Sequence, residues 1–87
     1  MATAGGALKV SVISPEATLF EGSAESIVAP AFDGEVGILP SHAPMVTTLG
    51  AGVLRIGNGE ASFKVQGGFL QVVDDVVRVV TEHAARL

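Results

Sequence analysis

The sequence of 87 residues contains no cysteine, no tryptophan and no tyrosine, and its aromatic residues are four phenylalanines. Without cysteine the chain forms no disulfide, carries no thiol nucleophile and offers no thiolate to a metal ion. Secreted domains of this size are often stabilised by disulfides, so the sequence favours a reducing compartment. Thiol enzymes and redox switches are thereby excluded.

Charge is also scarce, at 16% of residues, and nine acidic residues against five basic ones give a formal net charge of -4. The basic residues do not cluster, which disfavours a nucleic-acid-binding surface. The negative net charge disfavours direct attraction to anionic lipids. No run of about 18 apolar residues is present, so the sequence predicts no membrane-spanning segment. We expect any membrane association to come through a partner protein.

Apolar residues are plentiful, at 48%, and they occur in short alternating runs. Leu8, Val10 and Val12 alternate with Lys9 and Ser11, which is the period of a β-strand. Similar runs follow along the chain, separated by turn residues about every 8–12 positions. The pattern predicts an all-β sandwich or barrel.

Several turns can be assigned from residue type. Gly57-Asn58-Gly59-Glu60 lies between two alternating runs and predicts a hairpin, because asparagine and glycine tolerate positive φ. Asp74-Asp75 predicts a second tight hairpin with a solvated tip, although aspartate suits such a turn less well than glycine. Gly67-Gly68 predicts a break or bulge in a strand. We expect residues 1–6 to be a flexible lead-in without the features of a signal peptide, and residues 81–87 to be able to begin a helix.

The least ordinary segment is residues 33–45, DGEVGILPSHAPM, which combines two glycines, two prolines, two acids and a histidine. Glycine permits backbone angles closed to other residues, and proline fixes the backbone and removes a donor. The composition predicts a shaped polar loop with a strand-like stretch at 35–39. Such loops on rigid scaffolds often carry contacts with other molecules.

No catalytic or metal-binding set stands out. Ser41 and His42, with Asp33, are candidates for an enzyme or ligand site in a small barrel, but sequence neighbours on an extended chain usually point apart. Asp33 and Glu35 lack calcium-loop spacing, and His42 and His83 belong to no metal motif. We therefore expect no catalytic residue, no metal and no cofactor.

The residues together resemble a known family, the N-terminal β-sandwich domain of the ATP synthase epsilon subunit, which is called delta in mitochondria. The resemblance covers about residues 8–84. It is carried by the segments 8–16 (LKVSVISPE), 19–22 (LFEG), 25–30 (ESIVAP), 33–44 (DGEVGILPSHAP), 52–56 (GVLRI), 67–70 (GGFL) and 76–80 (VVRVV).

For the fold, the resemblance implies a flattened antiparallel β-sandwich of about ten short strands in two sheets. It implies a sandwich domain at residues 7–82 and a short tail at 83–87, where a helical domain would begin. Many family members continue there with a C-terminal helical hairpin, which can inhibit ATP hydrolysis and in some cases binds ATP. The sequence contains no such hairpin, so neither property is carried over. The sequence is compatible both with a natural short form of the subunit and with a piece of a longer protein.

For the function, the resemblance implies a non-catalytic rotor subunit of the central stalk. It would dock the gamma subunit onto the membrane c-subunit ring and couple proton flow to ATP synthesis, at the cytoplasmic face of the bacterial inner membrane. The residues carried over as the ring-contact loop are Gly34, Glu35, Ser41, His42, Ala43 and Pro44.

Two points remain open at the level of sequence. We expect one sheet face to expose apolar residues for gamma, but the sequence does not indicate which face. Besides the rotor subunit, two other functions are compatible with the pattern: a ligand-binding or enzymatic barrel using Ser41, His42 and Asp33, and a general interaction module that binds at an edge strand.

Overall fold

The computed structural model describes residues 7–57 and 59–87, and every regular element within them is a β-strand. The expected flexible segment at residues 1–6 and the turn residue Asn58 lie outside the described residues. The eight strands are β1 (Leu8–Ile13), β2 (Thr18–Ala24), β3 (Ile27–Ala31), β4 (Gly34–Ile38), β5 (Met45–Thr48), β6 (Ala51–Ile56), β7 (Ala61–Val73) and β8 (Val76–Arg86).

Hydrogen bonds join the strands in the order β2-β1-β8-β7-β6-β3-β4, and β5 also pairs with β7. β7 and β8 form a long hairpin in one register throughout. β6 pairs with residues 61–66 of β7, whereas β5 pairs with residues 69–72 along the same edge. The hairpin is therefore shared between two layers. The first layer contains β4, β3, β6 and the 61–66 half of the hairpin, and the second contains β5, the 69–80 part, β1 and β2.

The buried side of β7 changes at Gly67 and Gly68. Residues 61, 63 and 65 are buried before this point, and residues 70 and 72 are buried after it. Both glycines have positive φ, 75° and 101°, which reorients the strand without breaking its pairing with β8. The predicted break or bulge is thus the place where the strand passes from one layer to the other.

The two layers close on one core. Phe20 on β2 and Phe63 on β7 pack edge to face with ring centroids 6.5 Å apart. In a flat sheet three strand spacings, about 14 Å, would separate these strands, so the layers must face each other. The buried core is formed by residues of both layers: Leu8, Val10, Val12, Ala24, Ile27, Ala29, Ile38, Leu49, Leu54, Ile56, Ala61, Phe63, Val65, Leu70, Val72, Val77 and Val79.

The all-β sandwich architecture is confirmed, with differences in detail. The described residues form eight strands where about ten short ones were expected, because β7 and β8 each continue through both layers. The pairing is not wholly antiparallel, since β1 runs parallel to β8. Both tight hairpins are present: Ile56 pairs with Ala61 and Val73 with Val76.

The expectation that residues 81–87 could begin a helix is wrong. β8 continues as a strand to Arg86, past residue 82, with Ala84 opposite Val65 and Arg86 opposite Phe63. The Arg86 guanidinium lies 5.5 Å from the centre of the Phe63 ring. A helix of this length is marginal in water, whereas pairing with β7 satisfies the same backbone groups. Residues 83–86 are therefore part of the sandwich and not a tail.

Candidate functional site

The segment carried over as the ring-contact loop begins in the hairpin between β3 and β4. Gly34 lies opposite Ala31, and Glu35 lies opposite Pro30 at the start of β4. Gly34 has a φ of 132°, which favours glycine at this turn. The Glu35 carboxylate points outward and lies 3.6 Å from the Arg55 guanidinium on β6. The predicted strand-like stretch is β4 itself.

The rest of the segment lies in the connection from β4 to β5 and contains a tight turn. The His42 N–H donates to the Leu39 carbonyl at 3.2 Å, and Ser41 has a φ of 69°. Proline at the second position and positive φ at the third fit a type II turn. The His42 Nδ1 lies 2.7 Å from the Ala43 carbonyl, to which it donates. His42 is half-buried, and Ser41, Ala43 and Pro44 are exposed.

The six carried-over residues therefore form two groups. Gly34 and Glu35 lie at one end of β4, and residues 41–44 lie beyond its other end. The five extended residues of β4 place Gly34 and Ile38 about 13 Å apart. The segment is thus divided by strand β4 and is not one compact loop.

The turn at Ser41 is fixed by a residue that sequence reasoning missed. The Ser41 N–H donates to the carboxylate of Asp75 at 2.6 Å, across 34 positions of sequence. Asp75 was assigned to a solvated hairpin tip, but it is half-buried. The signal was present in the sequence, because aspartate occupied a turn position where glycine would be the better choice.

A further surface that the sequence did not locate is the outward side of the second layer, which we call the apolar face. Paired residues of a sheet point to the same side, so Phe69 and Val80 lie beside Ile13, and Val73 lies beside Val76. Phe69, Val73 and Val76 are between 40% and 45% exposed, and Val46 on β5 is 67% exposed. The signal was the runs of adjacent valines, which place apolar residues on both sides of a strand.

The alternative enzymatic site does not assemble in the described part of the chain. Three surface clefts there are lined by other residues, and none of these three includes Asp33, Ser41 or His42. No group of three or more His, Asp or Glu side chains that could hold a metal ion occurs among the described residues. The same residues contain no helix long and apolar enough to cross a membrane.

Comparison with known proteins agrees with this architecture. The family model described as "ATP synthase, Delta/Epsilon chain, beta-sandwich domain" matches residues 7–87. The chain belongs to this family. The match extends to the end of β8, in agreement with the strand pairing of residues 83–86.

Curated relatives carry the same family name. The ATP synthase epsilon chain of Leptospira borgpetersenii serovar Hardjo-bovis (strain JB197) is 51% identical over 80 residues, which is 90% of this chain and 63% of that protein. The epsilon chain of Desulforamulus reducens is 41% identical over 80 residues, or 90% of this chain and 61% of that one. The chain thus spans less than two thirds of the length of these relatives.

Solved structures support the fold. A chain in the cryo-EM structure of the Euglena gracilis mitochondrial ATP synthase matches 92% of this chain and 53% of its own length, with a TM-score of 0.83 and 24% identity. A chain from the central stalk and c-ring of the Tetrahymena thermophila mitochondrial ATP synthase matches 90% of this chain and 65% of its own length. That match has a TM-score of 0.78 and 16% identity.

Proposed function

We propose that this chain is a non-catalytic part of the central stalk of a proton-translocating ATP synthase. In this role it docks the gamma subunit onto the c-subunit ring, and so couples proton flow to ATP synthesis at the cytoplasmic face of a bacterial inner membrane. Family membership over residues 7–87 supports the proposal. The observation that carries the docking role is the apolar face, an exposed hydrophobic surface on an otherwise well-packed sandwich.

Gamma is assigned to the apolar face on physical grounds. Exposed ion pairs contribute little to binding, about 0–1 kcal/mol each, so a stable contact needs buried apolar area and an aromatic anchor. Phe69 lies in this face between Thr48 and Val80. The apolar face also includes the paired residues Gln71 and Arg78, between Phe69 and Val73. The outward side of the first layer carries Arg55, Lys64 and His83.

The ring contact is assigned to the two groups of the β4 segment: Gly34, Glu35, Ser41, His42, Ala43 and Pro44. The second group directly precedes β5, whose Val46 belongs to the apolar face. Docking of gamma and docking of the ring therefore involve adjoining surfaces of one rigid domain.

A pair of lysine substitutions tests the gamma assignment. Phe69→Lys places a charge in the apolar face, and Ala51→Lys places the same charge at an exposed position of the first layer. Binding of gamma by calorimetry is expected to weaken at least about tenfold for Phe69→Lys, or about 1.4 kcal/mol, and to stay unchanged for Ala51→Lys.

Both variants point outward and should retain the melting temperature of the parent chain to within a few degrees, about 5 °C or less. If the two variants bind gamma with equal affinity, whether strong or weak, the assignment of gamma to the apolar face is wrong.

A further inference from the structure

Asp75 joins its own hairpin turn to two other segments of the chain. Its carboxylate accepts the Ser41 N–H at 2.6 Å, and its carbonyl accepts the Lys9 N–H of β1 at 2.8 Å. Its own backbone forms the turn between β7 and β8. One residue thus connects the hairpin tip to the beginning of β1 and to the turn that precedes β5.

Turn geometry does not account for aspartate at this position. Asp74 and Asp75 have φ angles of 51° and 63°, a pair typical of the type I′ hairpin turn, in which asparagine followed by glycine is preferred. Ser41 has positive φ as well, at a type II turn position usually held by glycine. Asp75 and Ser41, each unfavourable at its turn position, are therefore joined by one hydrogen bond. In this bond a carboxylate accepts from a backbone N–H.

We propose that Asp75 is a positioning residue for docking: its carboxylate holds the Ser41 turn in the shape that presents residues 42–44 to the partner. This inference rests on the proposed function of those residues. Positive φ at Ser41, which is not glycine, costs conformational free energy, and the hydrogen bond to Asp75 offsets this cost. Without the carboxylate the cost would no longer be offset. The turn would then sample other shapes, while the strands on either side would remain paired.

Substitutions at the two turn aspartates separate positioning from simple stabilisation. Asp75→Gly removes the carboxylate and also suits the positive φ, so it removes the hydrogen bond without adding strain. Asp74→Gly is the matched control, because it changes the same turn and no hydrogen bond from the Asp74 side chain is found within the described residues. Asp75→Asn keeps an oxygen acceptor and also tolerates positive φ.

The first measurement is amide hydrogen exchange by NMR on the whole 87-residue chain. Exchange at the Ser41 N–H is expected to become at least about tenfold faster in Asp75→Gly, because hydrogen bonds to charged groups are the stronger ones. Asp74→Gly should leave the Ser41 exchange rate unchanged, and Asp75→Asn should give a rate between those of the parent chain and Asp75→Gly. The melting temperatures of the two glycine variants should differ by about 5 °C or less, because glycine at position 75 relieves the positive φ while the hydrogen bond is lost. Equal Ser41 exchange in the two glycine variants would overturn the proposal.

The second measurement is binding to a complex of gamma and the c-ring. Asp75→Gly should weaken it by about tenfold, since affinity scales with the fraction of molecules that hold the docking shape. If Asp75→Gly binds as the parent chain does while His42→Ala binds more weakly, the turn docks without the hydrogen bond from Ser41 to Asp75. That result would refute the positioning role of Asp75. Unchanged binding by both variants would refute the docking role of residues 42–44 itself, and the positioning role with it.

Discussion

Glu35 and His42 differ in how much they contribute to the fold. The Glu35 side chain is 59% exposed and its ion pair with Arg55 is long, at 3.6 Å. His42, in contrast, forms hydrogen bonds in the turn segment through both its N–H and its ring. Exposed pairs of this kind contribute about 0–1 kcal/mol to stability. A functional defect from replacing Glu35 would therefore arise at a partner and not from unfolding.

We predict that Glu35→Ala lowers ATP-driven proton pumping in membrane vesicles, while the free energy of unfolding changes by less than about 1 kcal/mol. Arg55→Ala is the matched control, since it removes the same ion pair and leaves the carboxylate in place. If Glu35→Ala leaves proton pumping unchanged, Glu35 does not belong to the proposed ring contact. His42→Ala, measured separately, tests the second group.

At the scale of the element, the two glycines of β7 determine whether the strand can serve both layers. An added Cβ at Gly68 would overlap the Val80 carbonyl oxygen and lie 2.7 Å from the Thr81 Cα. Both neighbours are backbone of β8, the central partner strand, so neither can move without disturbing the hairpin.

We predict that Gly68→Ala destabilises the chain by about 3 kcal/mol or more, from steric overlap together with the positive φ. Gly37→Ala provides the control, because nothing lies within 4 Å of its added Cβ and its φ is not positive. Urea unfolding monitored by circular dichroism measures both. Similar midpoints for the two variants would contradict the account of the layer crossing.

At the scale of the whole molecule, the shared hairpin should make the two layers one cooperative unit. Each layer contains part of β7 and part of β8, and residues of both layers form the core. Phe63 belongs to the first layer but packs against Phe20 of the second. Neither layer retains a complete buried side if the other unfolds.

We therefore predict a single unfolding transition. Amide signals of Leu54 in the first layer and Val10 in the second should disappear at the same urea concentration in an NMR titration. Both residues are buried, so each reports on its own layer. Two separate midpoints would show that the layers fold independently.

Local residue chemistry predicted much of this structure. The alternation at Leu8, Val10 and Val12 predicted a strand with those residues buried, and the structure buries all three. The hairpin at residues 57–60 and the aspartate turn at 74–75 were also predicted, because turn preferences act between neighbours. The long mixed motif in residues 33–44 was enough to indicate the family.

The site could be predicted only in part. That the segment with Glu35 and His42 makes the ring contact stays a prediction, and its division into two groups follows from β4 pairing with β3. The role of Asp75 depends on a residue 34 positions away, and no local pattern contains that partner. Residues 83–86 were assigned to a tail because their pairing with β7 is likewise a long-range contact.

The sequence by itself determined that this chain is built of strands, where most of its turns lie and to which family it belongs, since all three depend on residue type and spacing along the chain. Only the tertiary structure decided which side of β7 is buried in each half, which face remains apolar and exposed, and that a turn aspartate fixes the Ser41 loop. These features depend on which distant segments become neighbours, and that is settled when the two layers close on one core.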